Sequence, residues 1–116
     1  MLEALGTFFG SFLPAYAEGC APDGAALPYI TYELTVPDAL EESPLIARVW
    51  YQGRGYLEIA AALDAIGAAI GPGACLPAAG GTVWLYKEAR FVQFMPVEGD
   101  DRVKCACLSM KLAAIA

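Results

Sequence analysis

The chain has 116 residues and a mass of 12.2 kDa, enough for one domain with a single core but too little for two. Its apolar share is 58%, its charged share is 17% and its net charge is −6, and it contains no His. Nucleic-acid binding by phosphate neutralisation requires a basic patch, and the seven Lys and Arg residues form no cluster. The excess of apolar residues predicts burial against a partner protein or in a membrane.

The longest candidate for a membrane-spanning segment is residues 57–76. Glu58 and Asp64 interrupt it, and the Gly-Pro-Gly sequence at 71–73 ends it before the ~20 apolar residues that a span requires. Residues 1–13 carry no positive charge before their apolar residues, unlike a secretory signal. We therefore expect an intracellular protein whose apolar surface is covered by another protein chain.

The first third of the chain predicts a helix, a loop and a strand. Apolar residues recur at helical spacing over residues 2–13, and Pro14 ends that helix. Residues 15–17 read as a short extended piece, and the Gly, Pro and Asp residues of 18–26 predict a loop. Residues 29–36 alternate between apolar and polar side chains, which is typical of a half-buried strand.

The middle third predicts an acidic loop, a second strand and a second helix. Two prolines and the acidic residues Asp38, Glu41 and Glu42 break the chain between residues 37 and 44. Residues 45–52 predict a strand whose two faces are both partly apolar. Residues 56–70 carry apolar side chains at three- and four-residue steps among many Ala residues, which favours a helix.

The last third predicts strands over 74–77, 82–88, 91–95 and 103–112. A Gly-Gly turn at 80–81 and a tight connection at Ala89-Arg90 join the first three, and an acidic turn containing Glu98, Asp100 and Asp101 precedes the last. The chain is therefore expected to be an α+β domain, with a mostly antiparallel sheet and two helices packed on one face. The other face would be covered by a second layer or by a neighbouring subunit.

The sequence contains no recognisable catalytic apparatus. Its three serines, Ser11, Ser43 and Ser109, have no Lys at a suggestive local spacing, and no His is available as a base. The acidic pairs lack the spacing of a calcium loop, and the glycine pairs lack that of a phosphate loop. We expect no enzyme activity and no cofactor.

The four cysteines, Cys20, Cys75, Cys105 and Cys107, do not predict a metal site. Metal-binding cysteines usually occur in pairs separated by two to four residues and often with His. Cys105 and Cys107 lie two apart on a predicted strand, so that both point to one face, where we expect buried, small apolar side chains. A reducing compartment disfavours a disulfide.

The aromatic residues of the predicted strands, including Trp50, lack interleaved basic residues. A platform for single-stranded nucleic acid would need Lys or Arg around them. Core packing or a subunit interface is the better interpretation, because aromatic side chains are enriched at protein interfaces. Trp50 and the acidic residues Asp38, Glu41, Glu42, Glu98, Asp100 and Asp101 are the candidate interaction residues.

The chain resembles the small tail-terminator, or tail-completion, proteins of long-tailed bacteriophages and prophages. The resemblance covers nearly the whole chain. It rests on the opening helix, Leu27-Pro28-Tyr29-Ile30-Thr31-Tyr32-Glu33, Ala47-Arg48-Val49-Trp50-Tyr51 before the second helix, Gly80-Gly81-Thr82-Val83-Trp84-Leu85-Tyr86-Lys87, and the closing strand.

This resemblance implies a subunit that assembles into a hexameric ring in the virion tail, after synthesis in the bacterial cytoplasm. Such a ring caps the tail tube, stops its polymerisation and presents a surface for head attachment, so that its partners are the tail-tube protein and the head–tail connector. The residues themselves predict no membrane contact and no specific nucleic-acid binding. The acidic loops would suit a channel through which DNA slides.

Two other functions fit the same residues. One is a small intracellular enzyme or ligand-binding subunit that dimerises through its sheet. The other is a joining protein on the head side of the head–tail junction, which the sequence does not distinguish from a tail-side subunit.

Overall fold

A computed structural model describes residues 2–34, 43–53, 57–78, 81–96 and 103–115. It contains, in chain order, α1 (Leu2–Gly10), β1 (Ala15–Ala17), β2 (Tyr29–Leu34), β3 (Ser43–Gln52), α2 (Leu57–Ile70), β4 (Ala74–Ala78), β5 (Gly81–Pro96) and β6 (Val103–Ile115). The six strands form one sheet in the order β1-β2-β3-β6-β5-β4. Only β1 and β2 pair in parallel, so the prediction of an α+β domain with a mostly antiparallel sheet is confirmed.

The centre of the sheet is the antiparallel pair of β3 and β6. Cross-strand partners such as Ala47 and Leu108, or Leu45 and Met110, share one face of the sheet, and all four are at most 1% exposed. The alternation predicted for β3 and β6 is confirmed, because the apolar residues assigned to one side of each strand are the ones that enter the core. This face therefore carries the hydrophobic core.

Both helices bury apolar side chains in this same core. Helix α1 contributes Leu5 and Phe9, which are both 0% exposed, and α2 contributes Ile59, Leu63, Ile66 and Ile70. Helix α1 contacts the two edge strands β1 and β4, whereas α2 contacts β5. The sheet is therefore curled, with its two edges meeting the same helix. Neither described helix combines the length and apolar content that a membrane crossing needs.

Helix α1 ends at Gly10 and is shorter than predicted. The Ser11 hydroxyl donates to the Phe8 carbonyl at 2.6 Å, and the backbone amides of Phe12 and Leu13 donate to the Phe9 carbonyl. These bonds satisfy carbonyls of the last helical turn before Pro14. Helix α2 begins at Leu57, close to the predicted start, and ends at Ile70 as expected. Residues 35–36, predicted to belong to β2, lie outside the described residues.

The prediction of two strands joined at Ala89-Arg90 is wrong. β5 runs without interruption from Gly81 to Pro96, and its register with β6 shifts between Lys87, opposite Met110, and Val92, opposite Leu108. Between these two pairs β5 advances by five residues while β6 advances by two. The three extra residues of β5 form a bulge. A two-residue hairpin turn needs positive φ angles, and no described non-glycine residue has one.

We predict that Phe9→Ala will lower the free energy of unfolding by about 3–5 kcal/mol, because it leaves a cavity between α1 and the sheet. The side chain is fully buried, and its ring stacks on Tyr32 with centroids 5.8 Å apart. Phe94→Ala is the matched control, because Phe94 is 49% exposed and its truncation should cost far less. Denaturant unfolding of both variants tests this, and equal losses would contradict the core assignment.

Candidate interaction surface

The face of the sheet opposite the core carries no helix among the described residues. We call this surface the open face and define it by the strand residues that alternate with the core positions. It comprises Tyr16, Tyr29, Thr31, Glu33, Ile46, Arg48, Trp50, Cys75, Trp84, Tyr86, Gln93, Met95, Cys105, Cys107, Ser109 and Lys111. It is the main candidate for contact with another molecule.

One part of the open face is ionic. Arg48 Nη1 lies 3.3 Å from Glu18 Oε2 and 3.4 Å from Glu33 Oε2. Burial alone would lower the pKa of Arg48, but its hydrogen bond to Glu33 and the charge of Glu18 outweigh that effect and raise the pKa. Lys111 and Glu88 form a further pair at 3.6 Å. Partly exposed pairs like these stabilise the fold only weakly, so they mainly give the surface its charge pattern.

Trp50 lies beside this ionic group, near the middle of the open face. Its indole Nε1 donates to Thr31 Oγ1 at 2.9 Å, and Thr31 is itself only 4% exposed. Tyr29 and Cys105 are its cross-strand partners on either side. The hydrogen bond holds the indole of a predicted interaction residue in one orientation, with its polar atom satisfied and its ring half-buried.

Next to Trp50, three sulfur-containing side chains meet. Cys105 and Cys107 share the open face, as predicted, and are 4% and 8% exposed. The Cys107 thiol lies 3.3 Å from Met95 Sδ, and Met95 is directly opposite Cys105. Burial raises the pKa of the Cys105 thiol from its usual 9.0 to about 12, and the nearby Cys107 contributes to the same shift. All four cysteines of the chain are free thiols.

The most exposed aromatic of the open face is Trp84, on the β4 side of the sheet. Its ring lies over Gly73, where an added Cβ would be 2.7 Å from Cζ3. Trp84 is 39% exposed and Met95 is 49% exposed, which makes them the large apolar side chains that this face presents to solvent. Exposed aromatic and Met side chains are typical of protein–protein contact sites.

Trp50 alone among the predicted interaction residues lies in the described part of the chain. The acidic residues Asp38, Glu41, Glu42, Glu98, Asp100 and Asp101 all fall in 35–42 and 97–102, outside it. The strands that flank these two segments end at opposite ends of the sheet, since Leu34 is opposite Leu45 while Pro96 is opposite Lys104.

Residue spacing along the chain did not reveal the contact between Met95 and Cys107. The sequence predicts a separate strand for Met95, whereas the register that brings Met95 opposite Cys105 depends on the bulge within β5. Within the described ranges, no group of three or more His, Cys, Asp and Glu side chains is placed to hold a metal ion.

No protein-family model matches the chain, and no curated protein matches it significantly.

We predict that Cys20 and Cys75 will react with a thiol reagent at about pH 8 much faster than Cys105 and Cys107. The first two are exposed, whereas the other two are buried and the raised pKa of Cys105 keeps its thiol protonated. Mass spectrometry of labelled peptides identifies the modified residues, and unfolding should equalise the four rates. Rapid labelling of Cys105 in the folded protein would contradict its placement.

The same raised pKa gives a pH dependence of stability. The contribution of the protonated Cys105 thiol is fully present below about pH 9 and is lost as the pH rises through about 12. Above about pH 9, the unfolding free energy of Cys105→Ala should therefore fall less steeply with rising pH than that of wild type. Cys75→Ala should show the same pH dependence as wild type. If the unfolding free energies of both variants fall equally with rising pH, Cys105 is not a buried, neutral thiol.

Proposed function

We propose that this protein is a structural subunit of a bacteriophage tail that forms a ring on the tail tube, ends tube polymerisation and provides the surface for head attachment. The observation that carries this proposal is the open face, a broad sheet surface without a covering layer in the described chain. Such a face, in a chain that is 58% apolar, is best explained by contact with further subunits. The resemblance to tail-terminator proteins supplies the tail as the place of assembly.

The edges of the sheet support association through a face rather than through strand addition. Edge strand β1 has only 3 residues, and edge strand β4 has 5 and contains Pro77, which has no amide hydrogen to donate. Beyond β4, the outer side of β5 contains the bulge between Lys87 and Val92. Short edges, a proline and a bulge all discourage pairing with a strand of another chain, so the open face is the better surface for contact.

The composition of the open face fits a contact between like subunits. Trp50, Trp84 and Met95 supply apolar area, and the group of Arg48 with Glu18 and Glu33 supplies both signs of charge. Apolar area stabilises association, whereas charge complementarity mainly sets orientation. A closed ring requires each subunit to meet its neighbours in one fixed orientation, here in the six-fold arrangement that the resemblance implies.

The acidic residues of 35–42 and 97–102 support a role in a passage for DNA. In a ring, these two segments would face the channel or the adjoining ring. Negative charge at either place keeps DNA from adhering to the subunit. The protein would then act without catalytic activity, and its specificity would lie in its shape and its contacts.

We predict that Trp84→Glu will abolish self-association, because it buries a carboxylate in the subunit contact. Ala68→Glu is the control, because Ala68 is exposed on α2, away from the open face. Light scattering and negative-stain imaging of wild type should detect a ring, alone or on purified tail tubes. Circular dichroism checks that both variants are folded.

Two outcomes would contradict this proposal. A wild-type protein that is a strict monomer at high concentration and forms no ring on tail tubes would exclude the assembly role. A closed dimer with a ligand between its subunits would favour the enzyme or ligand-binding alternative. A ring that binds the head connector but not the tail tube would instead indicate a joining protein on the head side.

We predict that reversing Glu41, Glu42, Asp100 and Asp101 to Lys will leave the unfolding free energy within about 0.5 kcal/mol of wild type, because the sequence predicts acidic loops there and exposed loop charges contribute little to stability. The same change should reduce the titre of a phage that carries it, through adhesion of DNA to the channel. Reversal of the exposed Asp23 and Asp64 is the control. Normal titres would exclude the channel role and leave the assembly role standing.

A further inference from the structure

We propose that Cys105, Cys107 and Met95 form a binding site for a monovalent copper ion, Cu(I). The site shares the open face with the proposed subunit contact, but all three ligands come from one chain, so metal binding can be measured independently of assembly. Three sulfur atoms from two neighbouring strands meet at one place on the open face, and the sequence alone predicts no such group. Their geometry, ligand chemistry and electrostatic surroundings each support the assignment.

The geometry follows from the pairing of β5 with β6. Strand alternation puts Cys105 and Cys107 on one face of the sheet, two residues apart on β6. Met95 is directly opposite Cys105, and its sulfur is 3.3 Å from the Cys107 sulfur. The bulge in β5 shifts the strand into this register. Cys105 and Cys107 lie on β6, which is paired on both sides, and Met95 lies on the adjoining β5, so the pairing of the sheet holds the cysteines in place.

The donor set selects the metal. Thiolate and thioether are soft ligands, which prefer Cu(I), zinc and iron–sulfur clusters. Structural zinc requires four ligands and an iron–sulfur cluster is usually held by four cysteines, whereas this group offers two cysteines and one methionine. The chain has no His to complete either set, and the nearby Glu18 and Glu33 are paired with Arg48. Three sulfur ligands suit Cu(I).

The surroundings of the sulfurs fit a charged complex. Binding releases one proton from each thiol, and two thiolates with one Cu(I) carry a net charge of −1. Arg48 is the cross-strand partner of Cys107 and places a positive charge beside it. Because protons must leave, copper affinity should increase as the pH rises. Trp50 covers the side next to Cys105, and Met95, 49% exposed, lies where the ion would enter from solvent.

The experiment is an anaerobic titration of the reduced protein with Cu(I) in the presence of a chromogenic Cu(I) chelator. We expect wild type to remove one equivalent of Cu(I) per chain from the chelator, with sulfur-only coordination in X-ray absorption spectra and with affinity that increases with pH. Failure of the wild-type protein to take copper from the chelator would overturn the proposal. Preferential uptake of Zn²⁺ over Cu(I) would overturn it as well.

Matched variants locate the site. Cys105→Ser and Cys107→Ser should each abolish uptake, and Met95→Leu, which keeps the volume of the side chain, should weaken affinity by about tenfold or more. The control is the double variant of the exposed residues, Cys20→Ser with Cys75→Ser, which should bind as wild type does. Circular dichroism confirms that each variant is folded. If the double variant of Cys20 and Cys75 loses copper binding, or if Met95→Leu binds copper as tightly as wild type, the three-sulfur assignment is overturned.

Discussion

The whole structure depends on the pairing of β3 with β6. Ten consecutive residue pairs, from Ser43 with Leu112 to Gln52 with Val103, join these strands at the centre of the sheet without a shift in register. Since side chains alternate along both strands, this one register decides which residues enter the core and which form the open face. A slip by one residue would exchange the two faces and expose Leu108 and Met110 to solvent.

This constraint explains why the open face is neither a normal solvated surface nor a second core. Its cross-strand neighbours include an ion pair, a tryptophan with a satisfied indole nitrogen and two nearly buried thiols. The thiols are buried although neither described helix covers them, because the larger side chains on β3 and β5 flank the narrow cysteines of β6. A surface that already excludes water at its centre needs little further desolvation to bind another protein.

The sequence predicts most of this fold because alternation and helical spacing are local signals. They assign the correct sides of β3 and β6, the extent of α2 and the shared face of Cys105 and Cys107. They fail at β5, where Ala89-Arg90 separates two apolar runs as a turn would but provides no residue suited to positive φ. Contacts made across strands are not local at all. The Met95 contact and the hydrogen bond from Trp50 to Thr31 require the register of the sheet, which spacing along the chain does not supply.

Helix α1 contacts both β1, which follows it closely, and β4, which lies more than 60 residues further along the chain. During synthesis this helix leaves the ribosome long before β4 exists, so its contact with β4 must wait for most of the sheet to be made. Contacts of such large sequence separation form late, because the intervening chain must first be ordered. The docking of α1 would then be the step that closes the curled sheet, and a nascent chain stalled before β4 would expose this helix to chaperones and proteases.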